Sequence, residues 1–132
     1  MTTQDKLKEL ESWAEDLRNG NTAAAAVFKN PDLVADRARL VVSALFHVSI
    51  EEITSKKRTD RIAWARQVAM VMTHRISDCT LEEVGRIFGK DHGTVIHAER
   101  VVQQRTSMGH RFGQQVELVE QKLREIFETP EQ

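Results

Sequence analysis

The 132-residue sequence predicts an all-α protein: a compact multi-helix domain containing a helix-turn-helix, with an extra helix at the N-terminus. Three observations carry this expectation. Apolar residues recur at three- and four-residue steps along most of the chain instead of alternating. Several of these runs are preceded by Asn, Ser, Thr or Asp at the position where a side-chain oxygen can accept a free backbone N–H. There are only two prolines, six glycines and no tyrosine, and no run of alternating β-branched residues. With 40% hydrophobic and 30% charged residues the chain has enough apolar surface to fold around a core.

The elements follow in order. Leu7, Leu10, Ala14 and Leu17 predict an amphipathic helix over 4–18, stopped at Gly20-Asn21. The alanines at 23–26 add at most a short turn. Asn30-Pro31 reads as an N-cap followed by proline at the first helical position, opening a helix to about His47 marked by Leu33, Arg37, Leu40, Val41, Ala44 and Leu45. Ser49 and Glu52 have capping-box spacing for a short helix. SKKRTD (55–60) is a basic loop. A helix over 61–77 turns Ala65, Val68, Ala69, Met72 and Ile76 inward. Thr80 and Glu83 have the spacing of a second capping box, for a helix over 81–88 ending at Gly89. Asp91 caps a helix over 92–106, and a last helix over about 111–127 carries Phe112, Val116, Val119, Leu123 and Ile126. Residues 1–30 thus read as an N-terminal extension and 31–130 as one domain.

The pair of helices at 81–88 and 92–106, joined by a tight glycine-containing turn, has helix-turn-helix form. Gly85 lies inside the first of them, where glycine costs about 1 kcal/mol against alanine. Close approach of the second helix is the expected reason. In this arrangement the second helix enters the DNA major groove by its N-terminal residues. Lys90, Asp91, His92, Gly93 and Thr94 occupy that tip, while Val95 and Ala98 face the core.

Other chemistries fit worse. His92 and His97 are five apart and do not share a helix face as metal-binding histidines at i, i+4 do, and no cysteine or carboxylate cluster completes a shell. No metal or other cofactor is expected. GRIFGK (85–90) lacks the spacing and the Ser/Thr of a phosphate-binding loop, and no strand precedes it. No constellation suggests an enzyme. The single Cys79 rules out an internal disulfide and fits a reducing, cytoplasmic compartment. No run approaches a membrane span, and the charged N-terminus is not a secretory signal. The formal net charge of −1 hides an uneven distribution: residues 54–111 hold eleven Lys/Arg against six Asp/Glu, with acidic excess on both sides. Such a segment attracts phosphates although the whole chain is nearly neutral.

The stretch RQVAMVMTHRIS…TLEEVGRIFGKDHGTVIHA, with SKKR about ten residues before it, resembles the C-terminal DNA-binding domain of the bacterial replication initiator DnaA. That family carries R-Q-x-A-M followed by a G-G-R-D-H-T-T-V-x-H-A motif and a basic loop upstream. The similarity covers about residues 36–127. It implies binding to double-stranded DNA at a short, asymmetric, A·T-containing site, the DnaA box, in a bacterial nucleoid-associated protein that serves replication initiation, its regulation or transcription control.

By the same resemblance, Arg58 enters the minor groove with Lys56 and Lys57 beside it. Arg61 is a further candidate contact. Arg66 and Gln67 touch the DNA backbone and base edges, and Leu81 and Glu82 open a helix whose N–H groups face a phosphate. Asp91, His92 and Thr94 belong to the major-groove reader, with Lys90 and Gly93 at its edge.

The departures concern which sequence is read. The family's G-G-R is shortened to Gly89-Lys90, Gly93 replaces a threonine, Asp60 stands where an arginine is frequent, and His74 where a lysine is common. Asp60 is also placed to draw Arg58 into a salt bridge. The family's AAA+ ATPase is not encoded here, so no ATP hydrolysis and no nucleotide partner is expected. A second reading remains, a helical interaction module in which the Leu7/Leu10/Ala14/Leu17 stripe at 4–18 is a homodimer or protein-partner surface.

Overall fold

The computed structural model describes residues 30–127, which form six helices and no strand. The predicted helix over 4–18 lies outside the described residues. Helix α1 (Pro31–Phe46) starts as its sequence requires: Asn30 Oδ1 accepts from the N–H groups of Asp32 (2.9 Å) and Leu33 (3.4 Å), and Pro31 supplies no N–H that would need a partner. It ends at His47 in the left-handed conformation (φ 56°). Helix α2 (Ile50–Thr54) carries the full capping box: the Glu52 N–H donates to Ser49 Oγ and the Ser49 N–H to Glu52 Oε1, both at 3.1 Å.

After the basic loop comes α3 (Asp60–Ser77), then α4 (Leu81–Phe88), α5 (His92–Met108) and α6 (His110–Phe127). Asp78 closes α3 with a left-handed φ of 61°. Thr80 caps α4 by accepting the Glu83 N–H at 3.1 Å, but Glu83 reaches back to the Thr80 hydroxyl and not to its N–H, so the second predicted box is half formed. One extended residue, Gly109, separates α5 from α6.

Helix α3 is the axis of the domain and packs against all five others. It is buried nearly all round: Ile62, Ala65, Val68, Ala69, Met72 and Ile76 point inward as expected, and Trp64, Met70 and Val71 are buried as well. Around it sit Val34, Ala38, Val41 and Val42 from α1, Val84 from α4, Val95, Ala98 and Val102 from α5, and Val116, Val119, Leu123, Ile126 and Phe127 from α6. The core is dominated by valine and alanine. Such short side chains let helix axes approach closely, so the surrounding helices sit at fixed positions on α3.

Gly85 is required by a closer neighbour than the predicted one. A Cβ built there would stand 2.6 Å from the backbone oxygen of Lys90. The Lys90 N–H donates to Gly85 O at 2.8 Å, so it is the turn itself, and not the second helix, that folds back onto the glycine. Gly89 makes this reversal with φ 67°, in the left-handed region that glycine enters without penalty.

Candidate nucleic-acid interface

The tip of α5 is built by its cap. Asp91 Oδ1 accepts both the Thr94 N–H (2.7 Å) and the Thr94 hydroxyl (2.8 Å). These two bonds, the backbone one first, hold the Asp91 carboxyl below its ordinary pKa, with a smaller contribution from nearby His92. The Thr94 hydroxyl proton is therefore committed, leaving its methyl group and the remaining acceptor capacity of the oxygen for outside contact. Asp91, His92, Gly93 and Thr94 are all exposed, Lys90 is half-buried, and the next residue, Val95, is fully buried. The tip thus presents polar groups from a rigid base. Gly93 has open space: an added Cβ meets nothing nearer than Asp91 Oδ1, at 3.5 Å.

Thr80 occupies the cap position at the start of α4, with Leu81 half-buried and Glu82 exposed behind it. Arg39 of α1 braces the other end of α4. Its guanidinium lies 4.3 Å over the Phe88 ring and donates to the Ile87 carbonyl at 3.2 Å. Burial lowers the pKa of Arg39, opposed by Asp36 and Asp32.

In the basic loop Lys56, Lys57 and Arg58 are exposed. The residues around them are tied down. Ser55 Oγ donates to Glu52 O (2.7 Å) and accepts the Lys57 N–H (3.2 Å). Arg61 donates to the His47 carbonyl at 2.7 Å.

Arg66, to which the resemblance gives a DNA contact, is turned inward. It is only 8% exposed, and its guanidinium donates to the carbonyls of Ile53 (2.7 Å), Ser55 (2.7 Å) and Glu52 (3.1 Å). These carbonyls lie at the C-terminal end of α2, where Ile53 and Ser55 lack helical partners and Glu52 O is already met by Ser55, and a cation there also meets the negative end of the helix dipole. Desolvation lowers the pKa of Arg66. Arg66 fixes the entrance of the loop from beneath. Gln67, its neighbour, is half-buried.

Asp60 also behaves differently from its expected pairing. Its Oδ1 accepts from Arg105 Nη2 at 2.6 Å, and this ion pair, not one with Arg58, engages the carboxylate. The Arg105 guanidinium lies over two rings, Trp64 at 5.0 Å and Phe112 at 5.4 Å. Those rings meet edge to face with centroids 5.3 Å apart, and Trp64 Nε1 donates to Gln115 Oε1 at 3.1 Å. His74, at the other end of α3, pairs with Glu99 of α5 at 2.9 Å.

Sequence reasoning did not single out Arg105, Trp64, Phe112 or Gln115 as a group. The only local hint was an acidic residue inside a basic run. Arg66 did carry a signal, since it falls four residues after Ile62 and three before Ala69, on the inward stripe of α3.

The two exposed features lie toward opposite ends of α5. Its tip starts at Asp91, and Arg105 touches the residue that closes the basic loop. At about 1.5 Å per helical residue, roughly 14 residues separate these points by about 21 Å. No helix among the described residues is long and apolar enough to cross a membrane.

Comparison with known proteins agrees with this architecture. The family described as the bacterial dnaA protein helix-turn-helix matches residues 36–102. The chromosomal replication initiator protein DnaA of Desulfotalea psychrophila is 34% identical over 97 residues, covering 74% of this chain and 20% of that protein. The chain therefore spans about a fifth of the length of that relative. A crystal structure of a DNA replication initiation factor superposes with a TM-score of 0.66 at 27% identity, over 94% of this chain and 36% of the other. With the motif, the fold and the family match in agreement, the chain belongs to the bacterial DnaA helix-turn-helix family.

Proposed function

We propose that this chain binds double-stranded DNA with a preference for DnaA-box-like sites, in replication initiation, its regulation or transcription control, and performs no catalysis itself. The observation that carries this reading is that one frame, the α3–α5 pair, holds both exposed features. A capped, exposed recognition tip at Asp91–Thr94 starts α5, and about 21 Å farther along the same helix Arg105 holds Asp60, the residue that closes the exposed basic loop at Lys56–Arg58. One turn of B-DNA is about 34–36 Å, so a major groove and the adjacent minor groove are about half that, roughly 17 Å, apart. A single domain placed over both can set α5 in the major groove and Arg58 in the minor groove.

The division of labour follows from chemistry. Lys56, Lys57 and Lys90 supply charge to phosphates, which positions the protein without reading sequence. Thr94, with its outward methyl, suits a thymine methyl or base edge, and His92 can hydrogen-bond a base or a phosphate. Arg66 serves by holding the loop from inside. The test is fluorescence anisotropy of a labelled DnaA-box duplex and a scrambled duplex at two salt concentrations. Affinity is expected to fall by about 0.9 log unit per neutralised phosphate per log unit of salt. Thr94→Ala is expected to cost about 1–3 kcal/mol on the box and little on the scrambled duplex. A flat salt response would refute DNA binding and favour an interaction module. Equal losses on both duplexes would leave DNA binding and remove sequence preference.

A further inference from the structure

The exposed basic loop is short, yet arginines hold it from three sides. Arg66 donates to Glu52, Ile53 and Ser55 carbonyls at its entrance, Arg61 donates to His47 O, and Arg105 holds Asp60 at its exit. The exit differs in kind from the entrance. Arg66 and Arg61 bond backbone carbonyls, groups that any sequence would offer. Arg105 instead bonds a side chain, the Asp60 carboxylate, which this sequence in particular supplies.

An ordinary surface ion pair contributes little, because two long side chains must be ordered to make it and water screens it. This pair is built otherwise. The guanidinium is already seated over Trp64 and Phe112, themselves edge to face, with the indole N–H secured by Gln115. A guanidinium held against two rings in this way has fewer orientations to lose when it donates an N–H to an acceptor. Asp60 is 79% exposed on its side chain, whereas Arg105 is 28% exposed. The half-buried partner is therefore the anchor and the exposed one is what it holds. Asp60 is the first residue of α3 and lies two residues after Arg58.

We propose that Arg105 is the positioning residue of the basic loop. By gripping Asp60 it fixes the direction in which Arg58 leaves the domain, relative to the helix that carries the recognition tip, so that the loop reads groove shape instead of making loose phosphate contacts. This rests on the DNA-binding reading above. It also accounts for an acidic residue in a phosphate-facing loop, which on charge alone opposes binding. A narrow A·T-rich minor groove rewards a guanidinium only when it is aimed into it, and a loop already held in place does not lose its freedom on binding.

Charge and positioning make opposite forecasts for two variants. Asp60→Ala removes a negative charge and Arg105→Met removes a positive one. If only charge mattered, Asp60→Ala would strengthen binding to every duplex and Arg105→Met would weaken it. If Arg105 positions the loop, both lose the same thing: preference for a DnaA-box duplex with an A·T-rich flank over one with a G·C-rich flank falls by about fivefold or more. Asp60→Asn keeps an oxygen that can accept from Arg105 and is expected to retain most of the preference. The experiment titrates the 132-residue protein and the three variants against both duplexes. It adds ¹⁵N relaxation of the free proteins at residues 56–59. Backbone order parameters near about 0.85 in the wild type, falling toward about 0.6 in Asp60→Ala and Arg105→Met, are expected.

Unchanged order parameters overturn the clamp, and so do affinity changes that follow the sign of the charge with flank preference intact. If the wild type binds neither duplex, the DNA reading fails and the groove role with it. Relaxation of the free protein then still decides whether the ion pair holds the loop.

Discussion

Replacing Gly85 by alanine adds one methyl group at the most confined point of the helix-turn-helix. By helix propensity alone the change is favourable by about 1 kcal/mol, since alanine is the best helix former and glycine among the worst. The local geometry reverses the sign. The new Cβ stands 2.6 Å from Lys90 O, a backbone atom that cannot rotate away. Reaching an ordinary contact of about 3.4 Å requires the turn to move by about 0.8 Å.

That movement strains the Lys90 N–H bond to Gly85 O, now 2.8 Å, worth about 0.5–1.5 kcal/mol. It also displaces Lys90-Asp91 from the start of α5. Overpacking of this kind costs about 1–3 kcal/mol. Taken against the propensity gain, a net destabilisation of about 2 kcal/mol is expected, with Tm lower by roughly 8–16 °C for a domain of this size. Urea denaturation should give the same loss with unchanged slope. Affinity for a DnaA-box duplex should fall as well, because the tip moves with the turn. A Gly85→Ala protein as stable as the wild type, or more so, would refute the argument that backbone proximity demands this glycine.

Three further outcomes test the site. Gly93→Ala is expected to raise stability by about 0.4–1 kcal/mol, because the space around it is open and alanine restricts the unfolded chain. The same variant should weaken duplex binding if DNA lies against that face, and calorimetric melting with anisotropy separates the two effects. Asp91→Ala should lower Tm at neutral pH. The Asp91 pKa is depressed in the folded protein, so its contribution is present above the unfolded carboxylate pKa and is lost as pH falls through the folded one. Wild-type and variant melting curves should therefore converge in acid, and a gap that persists at low pH would exclude the carboxylate as its source. Arg58→Lys, which keeps the charge, should weaken binding on A·T-rich flanks and barely alter it on G·C-rich ones, as read by competition binding; equal affinity to wild type on both would rule out groove insertion.

The helices were legible because their signals are local. Asn30-Pro31, Ser49, Thr80 and Asp91 sit at the observed caps, and the predicted spans of α3, α5 and α6 differ from the observed ones by one or two residues at an end. A cap and a periodic run need only three or four neighbouring residues to declare themselves. The exposed tip was legible for the same reason. What stayed hidden depends on pairs distant along the chain. Nothing near Asp60 points to Arg105, and nothing near Trp64 points to Gln115. The resemblance gives Arg66 a DNA contact, whereas its position on α3 turns it inward, and the carbonyls at the end of α2 supply the partners that make its burial tolerable.

The seat of Arg105 also has an order in time. A ribosome makes the basic loop before α5 and completes the surroundings of Arg105 only with Phe112 and Gln115, about 55 residues later. At roughly 5–20 residues per second, that is a wait of about 3–11 s. Through that interval the nascent chain already carries an exposed cationic segment without the helix that orders its exit. A chain stalled between residues 60 and 105 would carry the positive charges of the loop without the geometry that makes them selective. Its expected behaviour toward nucleic acid is adhesion, governed by salt and indifferent to sequence. Under the reading proposed above, the order of the loop's exit is complete only once α6 has supplied Phe112 and Gln115.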